Sequence, residues 1–206
     1  MGRLEVRKRN KNNRQRKSIV AIGCEGKNKT EKVYLKNYSS RECILKFSTG
    51  NSTDPVGMAK DLVRFIKKED LSAKYGDKIF LLIDTDVNEN KQKQIDKTKQ
   101  ICEKYDIELI LSHPTFELLY ILHFEYTTKI YQSSQEVKNI IKSKIHSYTE
   151  SMNVYPILSS KTSIAIENSK KLERYQLKNG QDLYSEKCNP YTGAYKILEE
   201  LIKRNQ

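Results

Sequence analysis

The chain has 206 residues, and Lys and Arg exceed Asp and Glu by twelve, so one sizeable core with an appended part is expected and a polyanion, nucleic acid first, is the favoured partner. Its four cysteines, Cys24, Cys43, Cys102 and Cys188, are scattered, with no C-x-x-C pair and no matching His spacing, which argues against a zinc site and against a disulfide framework. No apolar run approaches the ~20 residues of a membrane span, and the basic N-terminus lacks the apolar segment of a signal peptide, so a reducing, cytoplasmic setting without a membrane is expected.

Residues 1–17 carry Arg3, Arg7, Lys8, Arg9, Lys11, Arg14, Arg16 and Lys17 among Asn and Gln, with almost nothing apolar to bury. They read as a basic arm, disordered when free. Arg14, Arg16 and Lys17 are candidate phosphate contacts of a kind that ignores sequence and weakens with salt. A solvated tail without a partner is the competing reading.

From Ser18 the pattern predicts a strand, a loop over Glu25 to Lys29, and a helix around Thr30 to Tyr38. Cys43 to Ser48 reads as a short strand, and Asp54-Pro55 as the cap and first position of a helix running to about Lys68, with Met58, Leu62, Phe65 and Ile66 on one face. Ile79 to Asp84 is the next strand. A polar stretch then leads into a helix whose inner face is Ile95, Thr98, Cys102 and Tyr105, before a strand at Ile107 to Leu111. Pro114 opens a helix over Thr115 to Phe124 that is apolar nearly all round, which predicts burial. Strands alternating with helices of this length indicate an α/β fold with a mainly parallel sheet over residues 18–126.

Beyond Glu125 the strand signal stops, and residues 127–206 read as a mainly α-helical extension packed on the core. Ser133 and Glu136 stand at capping-box spacing ahead of Val137, Ile140 and Ile141. Ser163 to Gln176 reads as a helix, and Asn189-Pro190 as the cap of a last one bearing Ala194, Ile197, Leu198, Leu201 and Ile202.

Candidate chemistry gathers at the ends of the apolar runs. Ile19-Val20-Ala21-Ile22-Gly23 ends in Cys24-Glu25-Gly26, and Ile79-Phe80-Leu81-Leu82-Ile83 ends in Asp84-Thr85-Asp86. Strands buried on both faces belong to parallel sheets, whose ligands sit just beyond the carboxyl ends. In extended chain Asp84 and Asp86 point to the same side and can share a hard cation such as Mg²⁺ or Mn²⁺, with Glu25 as a further ligand or an acid/base. A turn-capping Asp84 with Asp86 in solvent competes with that reading. Glu117 is a third acidic candidate, with a helix-dipole contact as its plain alternative. His123 is a candidate substrate contact or a hydrogen-bonded core residue. Lys27, Lys29 and Thr30 line the first strand-to-helix connection, where free N–H groups and positive charge suit a phosphate. There is no P-loop, no G-x-G-x-x-G and no nucleophile elbow, so acyl-transfer hydrolysis has no support.

Cys24-Glu25-Gly26 followed by Thr30-Glu31 and Tyr34, Asp84-Thr85-Asp86, Ser112-His113-Pro114-Thr115-Phe116-Glu117-Leu118 with His123-Phe124, and Asn189-Pro190-Tyr191-Thr192 together resemble the RloB-like proteins, which have a Toprim-type core and are linked to restriction and abortive-infection loci. By resemblance Glu25 does acid/base work, Asp84 and Asp86 hold Mg²⁺, and Glu117 is an additional acid. This sequence departs from the family pattern at Thr85, where the family usually carries Arg, in the three residues between Gly26 and Thr30, and at Leu119, where an aromatic often stands. The implied function is a metal-dependent nuclease acting on RNA or DNA in anti-phage defence. Partner proteins of a defence locus and a homo-oligomer are further candidate associations. The alternatives are a nucleic-acid-binding or sensing module on the same scaffold, without turnover, and phosphoryl or nucleotidyl transfer on a small nucleotide.

Overall fold

The computed structural model describes residues 16–25, 30–86 and 91–206. Five strands form one sheet: β1 (Ile19–Gly23), β2 (Ile44–Phe47), β3 (Lys78–Asp84), β4 (Glu108–His113) and β5 (Tyr191–Thr192). Their order is β2-β1-β3-β4-β5; the first four run parallel and β5 alone is antiparallel, against β4. The expected mainly parallel α/β sheet is therefore present. Because all four parallel strands run the same way, Gly23, Asp84 and His113 end on one edge.

Strand alternation divides the core in two. Ile19 and Ala21 of β1, Ile79, Leu81 and Ile83 of β3, and Leu109 and Leu111 of β4 face α2 (Pro55–Lys68) and α3 (Gln92–Lys104). Val20, Ile22, Phe80, Leu82 and Ile110 face the other way, into one cluster with α1 (Thr30–Leu35), α4 (Leu118–Leu122), α5 (Ser134–Lys144), α6 (Tyr155–Leu158), α7 (Thr162–Lys178) and α8 (Tyr195–Arg204). The helical C-terminal part thus shares its core with one face of the sheet. Gly23 lets α2 come close: a Cβ there would meet Leu62 Cδ2 and Leu81 Cδ1 at 3.0 Å.

Local signals account for most boundaries. Asp54 caps α2, its Oδ1 accepting from the Gly57 amide at 2.8 Å, with Pro55 as first residue. Ser133 caps α5, accepting from the Glu136 amide, while Glu136 Oε2 reaches back to the Gln132 amide, one residue before the capping-box position. Two expectations are corrected. The helix read over Thr115 to Phe124 is confined to Leu118–Leu122, all buried, because residues 114–117 form the turn that carries Thr115 and Glu117. Asn189-Pro190 does not cap the last helix. Asn189 instead brackets the backbone of Tyr131, accepting from its amide and donating to its carbonyl, and so delivers β5 to β4, where Thr192 and Ser112 hydroxyls meet at 2.8 Å. Among the described residues no helix is long and apolar enough to cross a membrane.

Candidate active site

The carboxyl edge of the sheet holds a small cavity of about 50 Å³ lined by Glu25, Glu31, Asp84, Asp86 and Lys91, with Thr53, Pro55 and Met58 of the α2 approach closing one side. β1 and β3 deliver Glu25 and Asp84 directly, since Gly23 pairs with Leu81 and each carboxylate lies just past that register. Glu31 comes from the first turn of α1 and is buried. It shares a face with Tyr34, Leu35 and Tyr38, three, four and seven residues on, so the inward stripe of that helix carries an acid at its leading end.

Asp84 is the hub. Its Oδ1 is buried without a hydrogen-bond partner among the described residues, while Oδ2 accepts from Thr115 Oγ1 at 2.9 Å. Burial, then the charges of Glu31 and Glu117, push the Asp84 carboxyl well above the usual carboxylate range, against smaller opposing pulls from the Phe116 amide and the Thr115 hydroxyl. Cys24 reports the same crowding. Its thiol is pushed up by burial first, then by Glu31, with Asp84 and Glu25 adding to it.

Glu117 sits beside this cavity, buried in a cage of hydroxyls. Thr115 Oγ1 contacts its Oε2, and Tyr148 Oη and Thr30 Oγ1 lie 3.4 Å from Oε1. It stands at the residue before α4 and makes no side-chain cap there. The Thr115 hydroxyl lies within hydrogen-bond reach of two carboxylates but owns a single proton. A proton on one of the two acids, or a cation between them, completes that arrangement.

Asp86 reaches the cavity by a route different from the expected one. β3 stops at Asp84, and Asp86 adopts a left-handed φ of 40°, so the two acids are not simply alternate residues of one extended strand. Its carboxylate is held by Lys91 Nζ at 3.0 Å and by Ser134 Oγ, the first residue of α5, at 2.7 Å. Lys91 Nζ also donates to the Asp84 carbonyl at 3.3 Å, so a basic group sits in the cavity itself. Thr85 is buried in the other direction, its Oγ1 2.6 Å from His113 Nδ1. Thr85 is thus a packing residue, and Lys91 brings a positive charge to the same edge.

The remaining expected contacts fall elsewhere. His123 is fully buried, with Nδ1 2.8 Å from the Leu119 carbonyl and Nε2 3.0 Å from Tyr34 Oη; burial lowers its pKa to about 4, and the ring is a neutral core residue turned away from the cavity. Thr30 does belong to the site, touching Glu117 and donating to the Glu150 carbonyl at 3.0 Å. Arg16 pairs with Asp77 at 3.1 Å and stacks on Tyr75, and Lys17 donates to the Arg41 carbonyl. Both precede β1 and so lie at the amino ends of the strands, about one strand length (~16 Å) from the carboxylates. Arg14, Lys27, Lys29 and most of the basic arm lie outside the described residues. Glu31 and Lys91 are the cavity residues that the reading of the sequence did not single out for these roles.

The donors are all hard oxygens, the buried Asp84 Oδ1 lacks a partner, and about 50 Å³ exceeds the ~10–15 Å³ that one water needs, so the residues fit a small divalent cation. As the side chains stand, no three His, Cys, Asp or Glu among the described residues form a closed ligand set. No curated protein and no solved structure matches the chain. A family model, that of the RloB-like proteins, matches residues 20–201, which takes in every strand from Val20 on and the whole acidic edge. This chain therefore belongs to the RloB-like protein family.

Proposed function

We propose that the chain is a metal-dependent nuclease that cleaves phosphodiester bonds of RNA or DNA, in anti-phage defence. One observation carries the reading: Glu25, Glu31 and Asp84 converge on one cavity with Glu117 against it, and Asp84 Oδ1 is buried there without a hydrogen-bond partner among the described residues. Like charges are costly to gather unless a cation or a proton offsets them. A bound Mg²⁺ or Mn²⁺ would supply that offset and stabilise charge developing on a phosphodiester. Asp84 and Asp86 are the ligands in this reading. Glu25, half-buried beside them, accepts or returns the proton of the attacking oxygen. Thr115 holds Asp84 against Glu117, and Lys91 steadies Asp86 and offers a positive group to a phosphate oxygen.

The formal charge of +12 supports a nucleic-acid substrate without distinguishing the two polymers, because phosphate contacts carry no sequence information. The test incubates the full chain with total cellular RNA and plasmid DNA, side by side, with Mg²⁺, Mn²⁺ or chelator. Cleavage that requires the cation and is lost in Asp84→Asn, with binding retained, is the expected result; equal cleavage by that variant refutes the assignment.

A binding or sensing module without turnover is favoured by a different observation. Lys91 already neutralises Asp86, so part of the site's negative charge is met by the protein itself. Binding of both polymers with no cleavage under any cation would decide for it.

A further inference from the structure

α5 leaves the acidic edge in a definite direction. Its first residue, Ser134, donates to Asp86 at 2.7 Å, and Lys138 and Lys142 follow at intervals of four, so all three share one helix face. Along the axis the two lysines are separated by about 6 Å, and the stripe from Ser134 to Lys142 covers about 12 Å. Against this face lies the segment carrying Tyr148 and Glu150, leaving an open groove of about 420 Å³ lined by Gln135, Lys138, Lys142, Tyr148 and Glu150 among others.

This groove and the acidic cavity are joined by bonds. Tyr148 Oη, in the groove wall, reaches Glu117 Oε1, and the Glu150 carbonyl accepts from Thr30, which touches the same carboxylate. Lys138 lies close enough to feel both catalytic candidates. Burial works against its charge, but Glu150, Glu117 and Asp84 together leave its pKa raised, which favours the charged ammonium. In the protein as it stands that ammonium is paired with Glu150, the groove's own carboxylate.

We propose that the groove between α5 and the Tyr148–Glu150 segment binds the sugar-phosphate backbone of a nucleic-acid strand, with Lys138 and Lys142 contacting successive phosphates beside the acidic cavity. The proposal rests on the nuclease reading for the identity of the neighbouring site, but not on turnover. Glu150 occupies Lys138 when no strand is present and is displaced by a phosphate. The spacing of the lysines along one face suits a single strand, whose neighbouring phosphates lie at a comparable separation, and lysines at intervals of one helical turn form a track for a polymer.

The test measures binding of a fluorescent single-stranded oligonucleotide to the full chain carrying Asp84→Asn, in chelator, as a function of salt. Adding Lys138→Gln and Lys142→Gln should weaken binding of all sequences alike and reduce the slope of log K against log salt by about 1.4, the value for two lost single-strand phosphate contacts. Glu150→Gln should tighten binding by freeing Lys138. The same two changes made at Lys97 and Lys104 of α3, on the other face of the sheet, should leave the slope unaltered. The proposal is overturned if the α5 variant, with an unchanged melting temperature, keeps the parental affinity and slope, if the α3 variant weakens binding equally, or if a mononucleotide or inorganic pyrophosphate competes as strongly as the oligonucleotide. A parent protein that binds through the groove but never cuts would refute the nuclease reading and leave this one standing.

Discussion

Thr115 Oγ1 donates to only one oxygen of Asp84, at 2.9 Å, and leaves the other, Oδ1, buried with no hydrogen-bond partner among the described residues. The folded state therefore disfavours ionised Asp84, in line with the upward push from burial, Glu31 and Glu117. A carboxyl whose pKa is raised on folding binds its proton more tightly in the native chain, so stability falls as pH rises from the ordinary carboxylate value through the folded one. Asp84→Asn removes that cost. At pH 8 the variant should be more stable by about 0.5–2 kcal/mol, seen as a melting temperature higher by roughly 2–4 °C per kcal/mol, and the gain should vanish near pH 4. A lower melting temperature at pH 8 would show that the site is not electrostatically frustrated.

The same raised carboxyl makes cation binding a proton-releasing event. Mn²⁺ or Mg²⁺ must displace the proton on Asp84, so affinity should climb with pH up to tenfold per unit while that proton is in competition, then level off above the folded pKa. Calorimetric titration in two buffers of different ionisation enthalpy reads the released proton directly. Identical apparent enthalpies in both buffers would remove Asp84 from the ligand set.

Glu31 is the charge that raises both Cys24 and Asp84 most, after burial, and it lines the cavity beside them. Glu31→Gln keeps the shape and deletes the charge. The low-pH limb of the cation-affinity profile should move to lower pH because Asp84 then ionises more easily, while affinity at its plateau drops about 10–100-fold through the lost negative charge near the ion. A purely structural Glu31 would change the melting temperature and leave the profile in place.

The parallel sheet and its acidic edge were legible because β1, β3 and β4 are continuous apolar runs that each end in polar residues, a pattern that only burial on both faces sustains. β5 was not, since Tyr191–Thr192 is too short to show a period and is held in place by Asn189 on Tyr131 and Thr192 on Ser112, contacts across 58 and 80 residues. Glu31 had a usable signal in its place at the head of the Tyr34, Leu35 and Tyr38 stripe, where an acid among inward residues is out of pattern. Lys91 had none, because its ammonium enters the cavity only through the tertiary path between β3 and α3. The spacing of Asp84 and Asp86 put both at the cavity, although the extended-strand reason for it fails at the left-handed Asp86. His123 carried two readings, and the Tyr34 hydroxyl and Leu119 carbonyl that take up its nitrogens favour the core one.

Two histidines should make the chain sensitive to mild acid. Burial lowers the pKa of both His113 and His123 to about 4, whereas in the unfolded chain each takes its proton near the ordinary 6.5. The unfolded state then binds more protons than the native one throughout pH 6.5 to 4, so stability contributed by keeping these rings neutral is complete above 6.5 and drains away as pH falls through that window. Each ring accounts for a loss on the order of 3 kcal/mol, partly opposed in the same range by Asp84, whose shift has the reverse sign. Denaturant unfolding from pH 8 to pH 4 should show this decline, and His123→Phe, although less stable at pH 8 for the lost contact with Tyr34, should lose markedly less over the window. An unchanged pH slope in that variant would mean that His123 is protonated in the native chain, its ring reached by solvent.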